Sequence, residues 1–347
     1  MLLPKPPPAS LADVARAAGV SASTASRALN NNPAINSKTR QRVQEAAQAL
    51  NYQRNQGARN LRLQRSQIIS VVINHHGQPG QSLSDPFMMT LTSAIADALN
   101  EHGYGLLFAS STLTAAQWYD ELVRNGRSDG IIVIGRGIDE SHFERLQPEE
   151  CPFVVWGQAD ANTPYPCIGS DNYSGGQQAA RQLMLSGCTE PWFLGDIRHA
   201  EIRQRYEGFC AELARAHLPI HPPIAVAGFT PEQGHQAILN ALRQAPRRCD
   251  GLFACSDHLA IGAALALFQE HLKIPKDVAL VGFDDIELAA SSYPPLTTVH
   301  QDLKKGGRAL VDTMLKRLAG QPTLSQSIPT RVVKRRTTRH LKNERMD

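Results

Sequence analysis

The chain has 347 residues, 42% hydrophobic and 20% charged, which is ordinary globular composition and enough chain for two or three domains with their own cores. No run of about 18 apolar residues occurs, which excludes a membrane-spanning helix and leaves the membrane out as a partner. The net charge of +4 is unevenly spread: residues 1–66 carry +8, residues 331–347 carry +5 and residues 67–330 carry −9. A basic head on an acidic body points to a polyanion as the partner of the head.

The first ten residues, MLLPKPPPAS, hold four prolines and no apolar core. They read as a disordered, partly polyproline tail rather than a secretory signal, so a cytoplasmic protein is expected. The six cysteines (151, 167, 188, 210, 249, 255) form no CxxC pair and no cluster with histidine at zinc spacing. They read as buried, reduced thiols, with no metal and no cofactor.

Ser10 followed by LADVARAAG has the form of an N-cap and a helix ending at Gly19, with Leu11, Val14, Ala15 and Ala18 on one face. Ser21 caps a second helix, ASTASRALN. The small alanines let the two helices cross closely, as in a helix-turn-helix whose second helix enters the major groove. Ala22 and Ser23 then face outward with Arg27 one turn on. A methyl group, a hydroxyl and a guanidinium suit thymine, either base, and guanine or phosphate respectively. A third helix begins at Asn36 or Ser37, and Val43, Ala46, Ala47 and Leu50 close its core. Lys38, Arg40 and Arg42 are expected at phosphates. The segment 53–66 has four arginines and cannot bury a core, so a helix there needs a partner.

Beyond residue 66, apolar strand-like runs (68–73, 104–110, 130–135, 153–157, 192–195, 224–229, 251–256, 278–283) alternate with helical patterns (87–102, 114–125, 174–186, 203–217, 231–244, 257–271, 303–319). This alternation predicts β-α-β units and parallel sheets covered on both faces. The number of strands predicts two sheets. Ligands bind such sheets at the carboxyl ends of the strands. Polar residues stand there: Ser110 and Ser111, Gln158, Ser256, and Asp284 with Asp285. Asp257 is expected as the cap of the helix that follows it.

Other motifs carry less. GRG at 135–137 lacks the third glycine and the later acidic residue of a dinucleotide fingerprint. The His75–His76 pair has no third ligand at a readable spacing. CSDH at 255–258 groups Ser, Asp and His, but sequence neighbours diverge in space and make no triad. No catalytic constellation is present, so a binding protein is expected and not an enzyme.

The head, through LADVARAAGVSASTASRALN, SKTRQRVQEAAQALNY and NQGARNLR, resembles the LacI family of bacterial transcription regulators. The body adds DPF (85–87), SDGIIVIG (128–135), GSDNYSGG (169–176), RYEGF (205–209), SDHLAIGA (256–263) and VGFDDIELAASSYPPLTTVHQD (281–302), in that family's order and spacing. The resemblance implies an N-terminal all-α helix-turn-helix domain and an α/β periplasmic-binding-protein-like core of two subdomains with parallel sheets. The implied boundaries are a tail to residue 9, a DNA-binding domain at 10–55, a hinge helix at 56–66, a body at 67–340 and a tail at 341–347. Within the body, the N-subdomain is expected at about 67–171 and 301–328 and the C-subdomain at about 172–300 and 329–340, with crossings near 171, 300 and 328.

The same resemblance implies the partners and the site residues. The protein would be a homodimeric repressor of carbohydrate-utilisation genes, released from a palindromic operator by a saccharide. A purine- or nucleoside-responsive repressor with a corepressor, and a receptor without DNA binding, are the alternatives. DNA contacts are expected at Ser10, Ser21, Ala22, Ser23, Thr24, Ser26, Arg27, Asn30, Lys38, Thr39 and Asn55. In the hinge, Ala58 meets its dimer mate and Leu61 wedges into the minor groove, at an unstacking cost of a few kcal/mol. Ligand contacts are expected at Asp85, Phe87, Ser110, Trp156, Gln158, Asp171, Arg205, Phe229, Ser256 and Asp284. An arginine fork and a carboxylate bind hydroxyls directionally, and an aromatic face covers a ring.

The chain also departs from the family pattern. Gly157–Gln158 stands where an Asp-Arg pair is common, with Trp156 before it. Gly57 in the hinge costs about 1 kcal/mol of helix stability. The C-terminal segment has no leucine heptads, so no tetramerising coiled coil is expected.

Overall fold

Capping residues set the helices of the head. In the computed structural model, which describes residues 9–52, 65–74, 85–111, 114–136, 143, 152–159, 163–244 and 249–339, Ser10 and Asp13 form a capping box that starts helix α1 (Leu11–Ala17). Gly19 turns the chain in the left-handed region at φ +58°, where a side chain would be strained. Ser21 then caps α2 (Ala22–Leu29), and Asn36, of the two candidates, caps α3 (Ser37–Ala49). Val14, Ala15, Ala18, Ala25, Ala28 and Val43 form the small core. Leu50, expected in it, is 38% exposed. The chain leaves α3 through Asn51 at φ +50°, and Tyr52 packs onto the core instead.

The chain divides into two compact units, Met1–Arg65 and Ser66–Asp347. The larger unit contains two sheets. The first has six parallel strands in the order β10-β5-β4-β3-β1-β2: β1 (Ile68–Asn74), β2 (Gly105–Ser111), β3 (Gly130–Ile134), β4 (Phe153–Trp156), β5 (Cys167–Ser170) and β10 (Gln326–Ile328). Its interior strands are buried runs of Val, Ile and Phe, because helices cover both faces. Helix α4 (Pro86–Glu101) and the late helix α11 (Leu303–Leu318) pack on one face through Leu91, Ile95, Leu99, Leu310 and Met314. Helix α5 (Ala115–Trp118), continued by a π-helical stretch over Tyr119–Arg124, packs on the other through Trp118 and Leu122.

The second sheet has the order β11-β9-β8-β7-β6: β6 (Pro191–Leu194), β7 (Gly251–Ala254), β8 (Ala279–Asp284), β9 (Thr297–His300) and β11 (Arg331–Val333), the last antiparallel to β9. Helices α6 (Asn172–Met184), α7 (Ala200–Arg215), α8 (Pro231–Gln244), α9 (Asp257–Gln269) and the short α10 (Glu287–Ser291) belong with it. Gly176 and Gly208 let α6 and α7 touch backbone to backbone. A Cβ on Gly208 would lie 2.0 Å from the Tyr173 carbonyl oxygen, and one on Gly176 would lie 2.0 Å from that of Arg205. The chain passes from the first sheet to the second after Ser170, returns after His300 and leaves again after Ile328.

Two expectations are corrected. The predicted strand 224–229 makes a single bridge, Ile224 to Leu194 at the edge of the sheet. Its two hydrogen bonds are Ile224 N–H to the Phe193 carbonyl (2.8 Å) and Gly195 N–H to the Ile224 carbonyl (3.0 Å). Beyond them the chain leaves the ladder and delivers Phe229 elsewhere. Strands β5, β9, β10 and β11 had no apolar run to announce them, being three or four residues long with Thr, Gln and Arg among them.

Candidate functional site

The head presents one face of α2. Ala25, Ala28 and Leu29 turn inward, while Ala22, Ser23, Arg27 and Asn30 are exposed and Thr24 and Ser26 half-buried. The Ser21 hydroxyl is taken up by the cap: it accepts from the Thr24 N–H (3.2 Å) and lies 2.9 Å from the hydroxyls of Ser23 and Thr24. Ser10 is likewise bound to Asp13 at 2.7 Å. Lys38 is exposed at the start of α3. Thr39 donates its backbone N–H to Asn36 (2.8 Å). Arg42 is exposed, but Arg40 is not placed for a phosphate. It folds back and donates to the carbonyls of Asn32 (3.0 Å) and Ile35 (3.1 Å), holding the loop between α2 and α3. The Asn32 carbonyl also accepts from the Ile35 N–H (3.1 Å), so the guanidinium adds a second bond to the turn that N–H closes. The hinge positions Asn55, Ala58 and Leu61 lie outside the described residues.

The body has a cavity of about 110 Å³ between its two sheets. Strand ends build it from both sides, as open parallel sheets require. The first sheet contributes Asn74 at the end of β1, Ile134 ending β3 with Gly135 and Arg136 after it, and Trp156 ending β4, with Asp85 capping α4 and Phe87 in its first turn. The second contributes Ser256 after β7, Asp284 ending β8, Phe229, and His199, Glu201 and Arg205 from the start of α7.

Arg205 is the most constrained of these groups. It is buried, donates Nε–H to Asn172 Oδ1 (2.9 Å) and Nη1–H to the Cys255 carbonyl, and its guanidinium carbon lies 3.6 Å from the centroid of the Phe283 ring. The Asp284 carboxylate is 3.9 Å away. Asp284 also accepts from Gln301 Nε2 (2.7 Å). Burial pushes the Asp284 carboxyl up to about 7; Arg205 opposes this and the Asp85 charge across the cavity adds to it. Burial also raises Asp85, against the pull of the Phe87 N–H and His258. It lowers His199 against the pull of the Asp196 carboxylate, and so favours the neutral imidazole.

Aromatic groups complete the lining. Phe87 meets Trp156 with ring centroids 6.3 Å apart, and Phe229 meets the His199 ring edge-on at 5.1 Å. Of the expected ligand contacts, Asp85, Phe87, Trp156, Arg205, Phe229, Ser256 and Asp284 come together here. Gln158 and Asp171 do not line the cavity. Gln158 accepts from the Asn172 N–H (3.2 Å) through Oε1, and Asp171 caps α6. The side chain of Ser110 lies outside the described residues. Ser256 both lines the cavity and caps α9.

Asp257 is not the expected cap. It is fully buried, accepts from the Thr298 hydroxyl and from the Ile286 N–H (2.9 Å), and is raised by burial and by Asp284. Asn74, Arg136, His199 and Glu201 were missed. Asn74 and Arg136 carried the same signal as the others, a polar residue closing an apolar strand. His199 and Glu201 follow a loop and had no local signal. Arg136 donates to the Gln158 carbonyl (2.6 Å) and to the Thr163 hydroxyl (3.3 Å), so it secures the corner where Gly157–Gln158 replaces the charged pair.

Comparison with known proteins places both parts. Residues 10–55 match the model for bacterial regulatory proteins of the lacI family, and residues 180–338 match a periplasmic binding protein-like domain. The ribose operon repressor of Escherichia coli is 30% identical over 322 residues, covering 92% of this chain and 95% of the repressor. The transcriptional repressor PurR of Haemophilus influenzae is 28% identical over 317 residues, covering 89% and 91%. The lac repressor dimer bound to operator and an anti-inducer superposes with a TM-score of 0.83 at 26% identity, covering 95% of this chain and 99% of the repressor chain. A helix-turn-helix head joined to a two-lobed body is thus shared along nearly the whole length with repressors, and the chain belongs to the lacI family of bacterial regulatory proteins, a DNA-binding transcriptional regulator.

Proposed function

We propose that the protein is a cytoplasmic, homodimeric repressor that leaves a palindromic operator when a monosaccharide fills the cavity between its lobes. It acts by binding and not by catalysis. The observation that carries this is the convergence of three carboxyl groups, Asp85, Glu201 and Asp284, with Arg205 and the aromatic rings on one cavity. An ionised carboxylate accepts hydrogen bonds, a protonated one also donates, and the Arg205 guanidinium only donates. The fitting ligand is therefore one whose groups both donate and accept, as the hydroxyls of a polyol do, with an apolar ring face for Trp156, Phe87 or Phe229. A cavity of about 110 Å³, at roughly 10–15 Å³ per water-sized centre, suits one pentose or hexose rather than a disaccharide. A relative of the same family from Enterococcus faecium, solved with bound ribose, has 25% identity and a TM-score of 0.67, which supports a sugar. The similarity to PurR favours a second reading, a purine or nucleoside acting as corepressor.

Electrophoretic mobility shifts on a panel of palindromes, with pooled monosaccharides, pooled nucleosides and no addition, test this reading. Release by a monosaccharide pool is the expected result. Tightening by nucleosides would establish the second reading.

The dimer face is proposed on the outer side of the second lobe. Helix α9 is apolar on every side: Leu259, Ala263 and Leu267 are in the core, while Leu265 and Phe268 are 55% and 76% exposed, and Tyr293 nearby is 98% exposed. A helix apolar all round is normally covered. Leu265, Phe268 and Tyr293 border an apolar groove of about 720 Å³, and the structurally similar lac repressor is a dimer. Phe268→Glu should weaken dimerisation at least about a hundredfold, since a two-fold axis buries the new charge twice. Sedimentation equilibrium measures it; an unchanged dimer constant would move the interface elsewhere.

A further inference from the structure

The turn that carries Asp284 is unusual. Asp284 and Asp285 both lie at positive φ, +112° and +60°, a conformation that side chains seldom adopt and that surrounding contacts must hold in place. Those contacts are specific. The N–H of Ile286, next in the chain, donates to the buried Asp257 carboxylate at 2.9 Å. Asp284 accepts from Gln301, at the point where the chain returns to the first sheet. Asp285 lies away from the cavity lining and holds two partners: His300 Nδ1 at 2.9 Å and Arg335 Nη2 at 2.6 Å. His300 ends β9, just before that crossing, and Arg335 follows β11, just after the last crossing. Arg335 is itself fixed, donating Nη1–H to the Leu296 carbonyl (2.8 Å) and its backbone N–H to the Thr297 hydroxyl (2.9 Å). The side chains of Asp285 and Arg335 are 13% and 18% exposed, so their ion pair is shielded from water and salt more than a surface pair is.

We propose that Asp285 is a positioning residue: by clamping His300 and Arg335 it ties the Asp284 turn to the segments beside two of the three crossings between the lobes. A group that binds or neutralises the Asp284 carboxylate then acts on the crossings, the parts of the chain that must move if the lobes are to rotate. A rigid, ion-paired turn transmits such a change, whereas a loose one would absorb it locally. The significance for regulation rests on Asp284 being an effector contact. The coupling itself can be read without any effector, so failure of one reading is distinct from failure of the other.

The experiment is amide hydrogen exchange on the full-length protein. Asp284→Asn removes the charge and keeps the shape, standing in for a neutralised carboxylate. It is made alone and in the Asp285→Asn and Arg335→Gln backgrounds. Asp284→Asn alone should change exchange at residues 300–303 and 331–335 at least about tenfold. In either background the change at 331–335 should fall within about twofold of that background's own rates. Exchange at 331–335 that ignores Asp284→Asn, or responds equally when the clamp is cut, would overturn the proposal. If Asp285→Asn does not fold, Arg335→Gln decides.

Discussion

Arg205→Ala should abolish effector binding and destabilise the body by about 3–5 kcal/mol at pH 8, the cost of removing one partner from a buried charged pair. The reason is the degree to which the guanidinium is built in. It is anchored by Asn172, the Cys255 carbonyl and the Phe283 ring, and it stands 3.9 Å from Asp284. Without it the Asp284 carboxylate loses the cation that offsets its burial, and two further polar partners, Asn172 and the Cys255 carbonyl, lose their donor. The loss should be smaller at pH 5, where Asp284 is protonated and needs no counter-charge. Denaturant midpoints at the two pH values, with calorimetry against the releasing pool, measure both effects. A variant that binds normally, or is destabilised equally at both pH values, would remove Arg205 from the site.

Asp284→Asn should change the pH dependence of stability by about 4 kcal/mol between pH 4 and 8. The folded protein holds this carboxyl at about 7 against an ordinary 3.8. The folded state therefore keeps a proton that the unfolded state has already released. The stabilisation from that proton is complete below the ordinary value and is lost as pH rises through about 7. Asparagine mimics the protonated form throughout. The variant should match wild type near pH 4 and exceed it increasingly towards pH 8, as followed by the thermal midpoint of the body. Asp85, Asp257 and His199 also carry shifted values, but they are common to both proteins, so the difference between variant and wild type is what reports Asp284. A constant difference across the range would mean that Asp284 is as hydrated as a surface carboxylate.

Local signals made most of the architecture legible. Ser10, Ser21 and Asn36 announced their helices because a cap is a bond between residues three apart. The apolar runs of β1, β3, β4, β7 and β8 announced themselves because a strand covered on both faces must be apolar along its whole length. Short strands such as β9 and β11 were illegible, since Thr297 and Thr298 are buried only through bonds to Thr337, Thr338 and Asp257 that lie far along the chain. Leu50 and Arg40 were misplaced for the same kind of reason. Helical spacing put Leu50 in the core, but Tyr52 fills that space. Arg40 satisfies carbonyls of a loop that spacing does not show.

The candidate site divides in the same way. The residue types, the strand ends that carry them and the resemblance that joins them could be read from the order of residues alone. Only the folded body decided which of them meet: the Asp85 charge raises Asp284 across one cavity, Gln158 and Asp171 turn away from it, and Arg136 takes the corner beside Gly157. What the sequence by itself determined is the periodicity, the caps, the basic head and the strand-end chemistry, because each depends on neighbours within a turn or a strand. What the tertiary structure decided is burial and pairing between segments well separated along the chain, since these depend on how two sheets face one another and not on any local pattern.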